Sequence, residues 1–318
     1  MTTVLHSDQQ VLRARADLAV EVERAGSALA ARVVDAFLNV PRHPFVPVFY
    51  REESGLHLPW REDDFVDDSW LAEVYADREL VTEVDGVHAE DAPPGGFRGG
   101  VATSSAPRPS LLAELLDALD VRPGNRVLEI GTGTGHTAAL LCHLAGSATV
   151  STADRTDRLV DDARARLHDN GFEPTVVRAG AADGHPAGAP YDRILATRGV
   201  RRIPRAWLDQ CAPGGLIVAP VGGAVARLTK LADGRAVGRF LPRNPGEARA
   251  TDATDSRVLD DPAFSFWAAL HPQDLEAAHR SWLAHHRPRR EWFTLEAGPD
   301  AQHIGYTAPD GTTLTWAL

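Results

Sequence analysis

Cysteine is scarce in this chain: Cys142 and Cys211 are the only two in 318 residues. Both sit in apolar surroundings and neither has a metal-ligand neighbour at close spacing. That excludes a disulfide scaffold and reads as two reduced core thiols of a cytoplasmic protein. No apolar run approaches the ~18 residues of a membrane-spanning helix. The opening residues MTTVLHSDQQ lack the basic and apolar regions of a signal peptide. Thirteen histidines show no H-E-x-x-H or related spacing, so no metal site is expected. A G-x-S-x-G nucleophile elbow is missing as well, as are internal repeats and low-complexity tracts. Basic residues are outnumbered, 33 against 44 acidic ones, for a net charge of −11. That balance argues against non-specific binding to nucleic acid or anionic membrane.

What is present reads as an ordinary globular chain, 43% apolar. Val11, Ala14, Leu18 and Val22 recur at helical spacing, and Leu29, Val33, Val34 and Phe37 continue the pattern, predicting a helix up to about residue 37. Residues 51–70 are acidic and aperiodic, which predicts an exposed loop. Asp91 to Gly96 has the composition of a linker. Strands then alternate with helices: Arg126–Ile130, Ala148–Thr152, Thr175–Arg178, Tyr191–Ala196 and Leu216–Val221 as strands, with helices at Leu111–Leu119, Ala138–Leu144, from Arg158 to about His168, and near Ala206–Gln210. This alternation means an α/β fold with a doubly wound parallel sheet. The tail reads as two helices, Phe264–Leu270 and Leu275–Ala284, and a small antiparallel meander. Three segments are therefore expected: an N-terminal helical and substrate-covering part at 1–100, a nucleotide-cofactor domain at 101–235, and an α+β appendage at 236–318.

The strand–glycine–helix unit carries the chemistry. Gly131, Gly133 and Gly135 allow a sharp turn and close approach of a ligand to the backbone, and the following helix N-terminus favours a negative group. A tight turn without a ligand is the alternative. Asp154, just after the next strand, suits two ribose hydroxyls of an adenosyl or dinucleotide cofactor; it also suits a helix cap. Asp183-Gly184 suits an adenine amino group, or a plain turn.

These residues carry a resemblance. Val127-Leu-Glu-Ile-Gly-Thr-Gly-Thr-Gly135 followed by Ala138-Ala-Leu-Leu141 is similar to motif I of class I methyltransferases, and most resembles the protein-L-isoaspartate O-methyltransferases. Ala189-Pro-Tyr-Asp-Arg-Ile194, Ile203-Pro204, and Pro213-Gly-Gly215 with Pro220-Val-Gly222 match that family's later motifs in order. Upstream, Val40-Pro-Arg-His-Pro-Phe-Val-Pro47 resembles its R-x-x-F-V-P segment, and Thr103-Ser-Ser-Ala-Pro107 its T-x-S-A-P substrate loop. The likeness spans about residues 40–230. It implies a class I, Rossmann-like fold and S-adenosyl-L-methionine as methyl donor, leaving S-adenosyl-L-homocysteine. It implies donor contacts at Glu129, Gly131, Thr132, Gly133, Gly135, Asp154, Arg155, Asp183 and Gly184. Ser105, with Ser104, matches the position beside the acceptor carboxylate, with Thr103, Pro107, Arg108, Thr197 and Arg198 as further substrate residues. A hydroxyl at Ser105 would orient the acceptor oxygen; its alternative is a helix N-cap, for which Ser110 is better placed.

The sequence departs from the repair enzymes at Arg108, where they carry His, and at His136-Thr137. These departures and the added termini look more like the relatives beside ATP-grasp or lanthipeptide maturases, which esterify an Asp of a ribosomal peptide and lead to aspartimide or isoaspartate. The implied partner is an acidic or macrocyclic precursor peptide; the oligomeric state is left open. Arg198, Arg201 and Arg202 would attract such a peptide, or form a solvated basic turn. The competing readings are a general isoaspartyl repair enzyme, a non-catalytic peptide-binding module of the same fold, and a nicotinamide oxidoreductase, whose tyrosine–lysine set is missing.

Overall fold

The apolar spacings resolve into helices and strands close to where the sequence places them, in a computed structural model that describes residues 7–25, 29–65, 67–242, 261–271 and 274–318. The chain divides into two compact units, Met1–Gly124 with Gly131–Arg178, and Asn125–Ile130 with Ala179–Leu318. This division does not follow the cuts at 100/101 and 235/236, because strand pairing within each unit crosses them.

The first unit begins with α1 (Asp8–Ala25) and α2 (Ala31–Asn39), two helices where one was expected. Ala30 is extended (φ −63°, ψ 135°) and its N–H donates to Asp117 Oδ1 at 3.0 Å, so helical hydrogen bonding restarts after it. The acidic stretch expected to be a loop is a hairpin of β1 (Val48–Glu53) and β2 (Leu56–Arg61). Its turn is Ser54-Gly55, both with positive φ (52° and 74°), the pair that a two-residue primed hairpin turn requires. α3 (Ser69–Val74) follows, then β3 (Leu80–Val84), β4 (Val87–His88), β5 (Phe97–Arg98) and β6 (Ala102–Ala106). The strands form one antiparallel sheet in the order β4-β3-β1-β2-β5, with β6 also on β3. The expected linker, Asp91 to Gly96, thus lies inside this sheet's connections. The expected substrate loop is a strand: Leu80 pairs with Ala106 and Val81 with Ser105.

In α4 (Pro109–Leu119), Leu112, Leu115, Leu116 and Leu119 are buried at i, i+3, i+4 and i+7. Ser110 is not its N-cap. Pro109 takes the first turn, Arg108 precedes it without a side-chain cap, and Asp77 Oδ1 accepts the Ser110 N–H at 2.8 Å. α5 (His136–Ala145), β8 (Val150–Asp154), α6 (Asp157–Asp169) and β9 (Thr175–Arg178) complete the unit, with β8 and β9 parallel and α6 crossing between them.

One buried cation ties these pieces together. Arg42, 1% exposed, donates through Nη1 to the carbonyls of Val74 (2.8 Å) and Ala76 (3.1 Å), and through Nη2 to those of Arg78 (3.0 Å) and Pro107 (3.1 Å). Its own N–H donates to Tyr75 Oη at 3.1 Å. Burial lowers its pKa to about 10 and raises that of Tyr75 to about 12, so both keep their ordinary charge at neutral pH.

The second unit is built on one sheet, β16-β15-β14-β13-β12-β11-β10-β7. Here β7 (Val127–Ile130), β10 (Tyr191–Ala196) and β11 (Cys211–Val221) run parallel, with α7 (Arg205–Gln210) before β11. From β11 outward the pairing is antiparallel through β12 (Ala224–Lys230), β13 (Ala236–Phe240), β14 (Phe293–Ala297), β15 (Gln302–Thr307) and β16 (Thr313–Ala317). The expected tail meander therefore exists, but it prolongs this sheet through the β13–β14 pairing rather than standing apart. The helices α8 (Pro262–Leu270) and α9 (Leu275–Ala284) accompany it. Trp267 and Trp282 are buried in the core and Trp316 packs against it, while Trp292 is 41% exposed. Cys142 and Cys211 are both buried, and neither is in a disulfide. Among the described residues no helix is long and apolar enough to cross a membrane.

Replacing Arg42 by Ala leaves four carbonyls, one buried and three partly buried, without their donor. Each bond to a charged group is worth ~1.5–3 kcal/mol, so the loss should exceed about 3 kcal/mol in urea or thermal unfolding. A loss under ~1 kcal/mol would remove Arg42 from this role.

Candidate active site

The glycine loop opens where β7 ends. Gly131, Gly133 and Gly135 all have positive φ (96°, 50° and 90°), the conformation for which the sequence needs glycine. Gly131 N–H donates to Ala153 O at 2.8 Å, and Thr132 and Thr152 share a hydroxyl bond at 2.7 Å, fixing the loop to β8. Gly133 N–H donates to Asp154 Oδ2 at 3.1 Å. Gly135 lies against α6: a Cβ on it would stand 3.3 Å from that of Ala163.

Asp154 does not cap α6, whose N-cap is Thr156. Its Oδ1 accepts the N–H groups of Arg155 (2.8 Å) and Thr156 (3.4 Å), which braces the turn before α6, while Oδ2 holds the loop. Of about four acceptor positions on a carboxylate, three are taken by backbone. The side chain of Arg155 itself is exposed.

The strand β6 comes up against the same loop. A Cβ placed on Gly133 would be 3.7 Å from the carbonyl of Ser105 and 4.0 Å from the hydroxyl of Ser104. The structure therefore brings Gly131, Thr132, Gly133, Gly135, Asp154, Ser104 and Ser105 together. Ser104 is buried and accepts from Thr82 Oγ1 at 3.3 Å. The Ser105 hydroxyl donates to Glu79, an exposed carboxylate that sequence reasoning missed. Thr103 donates to Glu83 at 2.5 Å, and Glu83 also meets His88 Nε2 at 2.8 Å. Pro107 and Arg108 are held from below: the first by Arg42, the second through Nε to Asp77 O at 2.9 Å and Oδ2 at 3.4 Å.

His136, first residue of α5, is buried beside Phe45 (ring centroids 5.7 Å) and Phe37 (6.4 Å), and its Nε2 has no hydrogen-bond partner among the described residues. Burial, with the nearby Arg42 charge, pushes its pKa down to about 3. The ring is neutral, which suits a helix N-terminus.

In the second unit, Glu129 is fully buried on β7. The turn with Asp183 and Gly184 is pinned by Gln210, whose Nε2 donates to Asp183 O (2.7 Å) and whose Oε1 accepts the His185 N–H (2.8 Å), and by Trp207 Nε1 on Ala181 O (2.7 Å). Gly184 has φ +63°, and a Cβ there would strike Gln210 Oε1 at 2.6 Å. The Asp183 side chain is exposed. Thr197 and Arg198 follow β10, with Arg198, Arg201 and Arg202 exposed. Ile203 is clamped by Gln302 of β15, which accepts its N–H at 2.9 Å and donates to its carbonyl at 2.6 Å. Gln210 and Gln302 had no signal in the sequence.

Among the described residues no group of His, Cys, Asp and Glu could hold a metal ion. A family model described as Protein-L-isoaspartate(D-aspartate) O-methyltransferase (PCMT) matches residues 60–241. The protein-L-isoaspartate O-methyltransferase of Methanopyrus kandleri is 34% identical over 218 residues, 68% of this chain and 80% of that protein. Its namesake from Azorhizobium caulinodans is 40% identical over 153 residues, 48% of this chain and 66% of the relative. A solved structure titled protein-L-isoaspartate O-methyltransferase aligns with a TM-score of 0.59 at 20% identity, over 92% of this chain and 99% of that one.

Two outcomes follow from this geometry. Asp154→Asn places an amide where backbone N–H groups must be accepted, so thermal stability without any ligand should fall by ~1–3 kcal/mol; an unchanged melting temperature would contradict the backbone role. For His136, the unfolded ring takes a proton near pH 6.5 and the folded one only near 3. Stability should therefore decline as pH drops from about 6.5 towards 3, by at most ~1.4 kcal/mol per pH unit from this group. Urea titrations across that range should show a flatter acid limb in His136→Leu than in the wild type.

Proposed function

The chain belongs to the protein-L-isoaspartate(D-aspartate) O-methyltransferase family and has the class I S-adenosylmethionine-dependent methyltransferase fold, and on that premise we propose that it esterifies an aspartate of a ribosomal peptide on the way to an aspartimide or isoaspartate. It is an S-adenosylmethionine-dependent carboxyl O-methyltransferase. The observation that carries the site assignment is the strand with Ser104 and Ser105 lying against Gly133.

The residues present fit the donor. Gly133 offers a side-chain-free surface at φ +50° with ordinary contact distances to β6, and Glu129 supplies a buried carboxylate for a cationic amino group. In this reading Glu129 and the loop Gly131, Thr132, Gly133 and Gly135 hold the methionine part. Asp154 with Arg155 holds the ribose side, and Asp183 with Gly184 the adenine side. The bound donor supplies an electrophilic methyl group on a sulfonium. The chain does the rest by positioning. An acceptor carboxylate is already ionised at neutral pH, so no general base is needed. Ser105, assisted by Ser104, donates to one acceptor oxygen and aims the other, and the gain is one of orientation. Thr103, Pro107, Arg108, Thr197 and Arg198 face the peptide.

One feature favours a peptide-tailoring role: Arg108 stands where the repair enzymes carry His and is fixed by Asp77. The ester then closes by attack of the next backbone nitrogen on its carbonyl carbon: the amide proton leaves with the methoxide as methanol, and later addition of water gives isoaspartate. The names of the relatives favour the second reading, repair of isoaspartyl residues. Two buried thiols outside any disulfide suit a cytoplasmic setting.

Mass spectrometry separates the two. A constrained Asp-containing precursor should gain one methylene and then show a net loss of one water. Efficient turnover of short linear isoaspartyl peptides, with none on any constrained Asp peptide, selects repair instead. In either case Ser105→Ala should lower turnover far more than donor affinity. Glu79→Gln, which weakens the competing carboxylate bond to Ser105, should lower the acceptor KM; an unchanged KM would show that Glu79 does not compete there.

A further inference from the structure

Exposed arginines in this chain commonly have a carboxylate at hand: Arg78 meets Glu73, Arg164 meets Asp161, and Arg235 meets Asp233 and Glu296. Around Trp292 the pattern changes. Arg239, Arg287 and Arg289 are exposed, and none of them makes an ion pair among the described residues, although acidic residues outnumber basic ones over the whole chain. Trp292, 41% exposed, lines two hollows at once. The larger, about 710 Å³, also takes in Trp282, Arg287 and Arg289; the smaller, about 250 Å³, takes in Arg239.

Local geometry positions Arg287. The Arg287 guanidinium lies 5.7 Å from the Trp282 ring centroid, and the Arg287 N–H donates to Trp282 O at 2.9 Å. His286 and Arg287 both have positive φ (62° and 54°), an unfavourable conformation for side chains of this size that tends to be kept where a site requires it. Two acids line the larger hollow beside these cations. Asp261 is turned to the start of α8, where it accepts the N–H groups of Ala263 (2.8 Å) and Phe264 (3.4 Å), leaving Glu291 as the other.

We propose that this strip, Arg287 and Arg289 on one side of Trp292 and Arg239 on the other, binds an acidic stretch of the acceptor polypeptide. The choice of occupant rests on the peptide-acceptor reading above. Guanidinium groups pair with carboxylates in a planar, two-point fashion, and exposed Trp with Arg is the composition of interface anchors. A nucleic acid would meet the same cations, but with its denser line of negative charge it is repelled more strongly than a short acidic stretch by a chain of net charge −11.

Fluorescence anisotropy of the full-length protein with a short labelled peptide rich in Asp and Glu, containing no isoaspartate, tests this. The wild type should bind it with an affinity that falls as salt rises. The double change Arg287→Glu with Arg289→Glu should weaken binding by about tenfold or more. Arg239→Gln and Trp292→Ala should each weaken it by a smaller factor, and these single surface changes serve if the charge-reversed protein fails to fold. Turnover of a short acceptor without acidic flanks should stay at the wild-type level in all variants, while the KM of the same acceptor with an acidic extension rises. Equal affinity in wild type and variants, equal affinity for an uncharged peptide, or tighter binding of a single-stranded oligonucleotide would overturn the proposal. Anisotropy needs no methyl donor, so a failure of the peptide-tailoring chemistry and a failure of this strip are told apart.

Discussion

A single buried guanidinium sets the geometry on which the candidate acceptor strand depends. Arg42 is charged, nearly inaccessible, and bonded to carbonyls from the 74–78 turn and from Pro107. Those two stretches flank the candidate acceptor residues: Glu79 follows the turn, and Ser105 precedes Pro107 by two residues. Asp77, within the turn, caps α4 through the Ser110 N–H and fixes Arg108. Sheet edge, helix start and the Ser105 hydroxyl are thus indexed to one planar fork of donors. A lysine, with a compact ammonium on a flexible stem, could not span the same set of acceptors.

The same cation shapes the electrostatics of the glycine loop. Burial is the larger cause of the depressed His136 pKa and the Arg42 charge the smaller; together they keep the first residue of α5 uncharged. The positive end of that helix is therefore left to whatever the loop holds. Asp154 works in the other direction. Its oxygens fasten the loop to the start of α6, so a residue assigned to a ligand is at the same time a structural brace, and the two roles draw on one limited set of acceptor positions.

The parallel-sheet elements were legible because their sequence signals are local. Apolar stretches at Val127–Ile130 and Ile194–Ala196, the glycines at 131, 133 and 135, and the leucine spacing of α4 each specify their own conformation. The β1–β2 hairpin was obscured by its acidic composition, although Ser54-Gly55 carries the turn chemistry. The substrate segment passed for a loop because Thr-Ser-Ser-Ala has no apolar alternation; it becomes a strand through pairing with β3, a non-local contact. Within the site, the glycines, Asp154 and the serines could be read from motifs. Glu79, Gln210 and Gln302 could not, since each acts on backbone or side chains far along the chain and belongs to no local pattern.

The chain crosses from one compact unit to the other three times, after Gly124, Ile130 and Arg178. Each unit is consequently assembled from two separated stretches, and the six residues Asn125–Ile130 are a thread of one unit embedded in the sequence of the other. No contiguous excision can yield either unit intact. For a ribosome delivering the chain from its N-terminus, β7 emerges long before β10, its parallel partner within the same unit, and that pairing waits for some sixty more residues of synthesis.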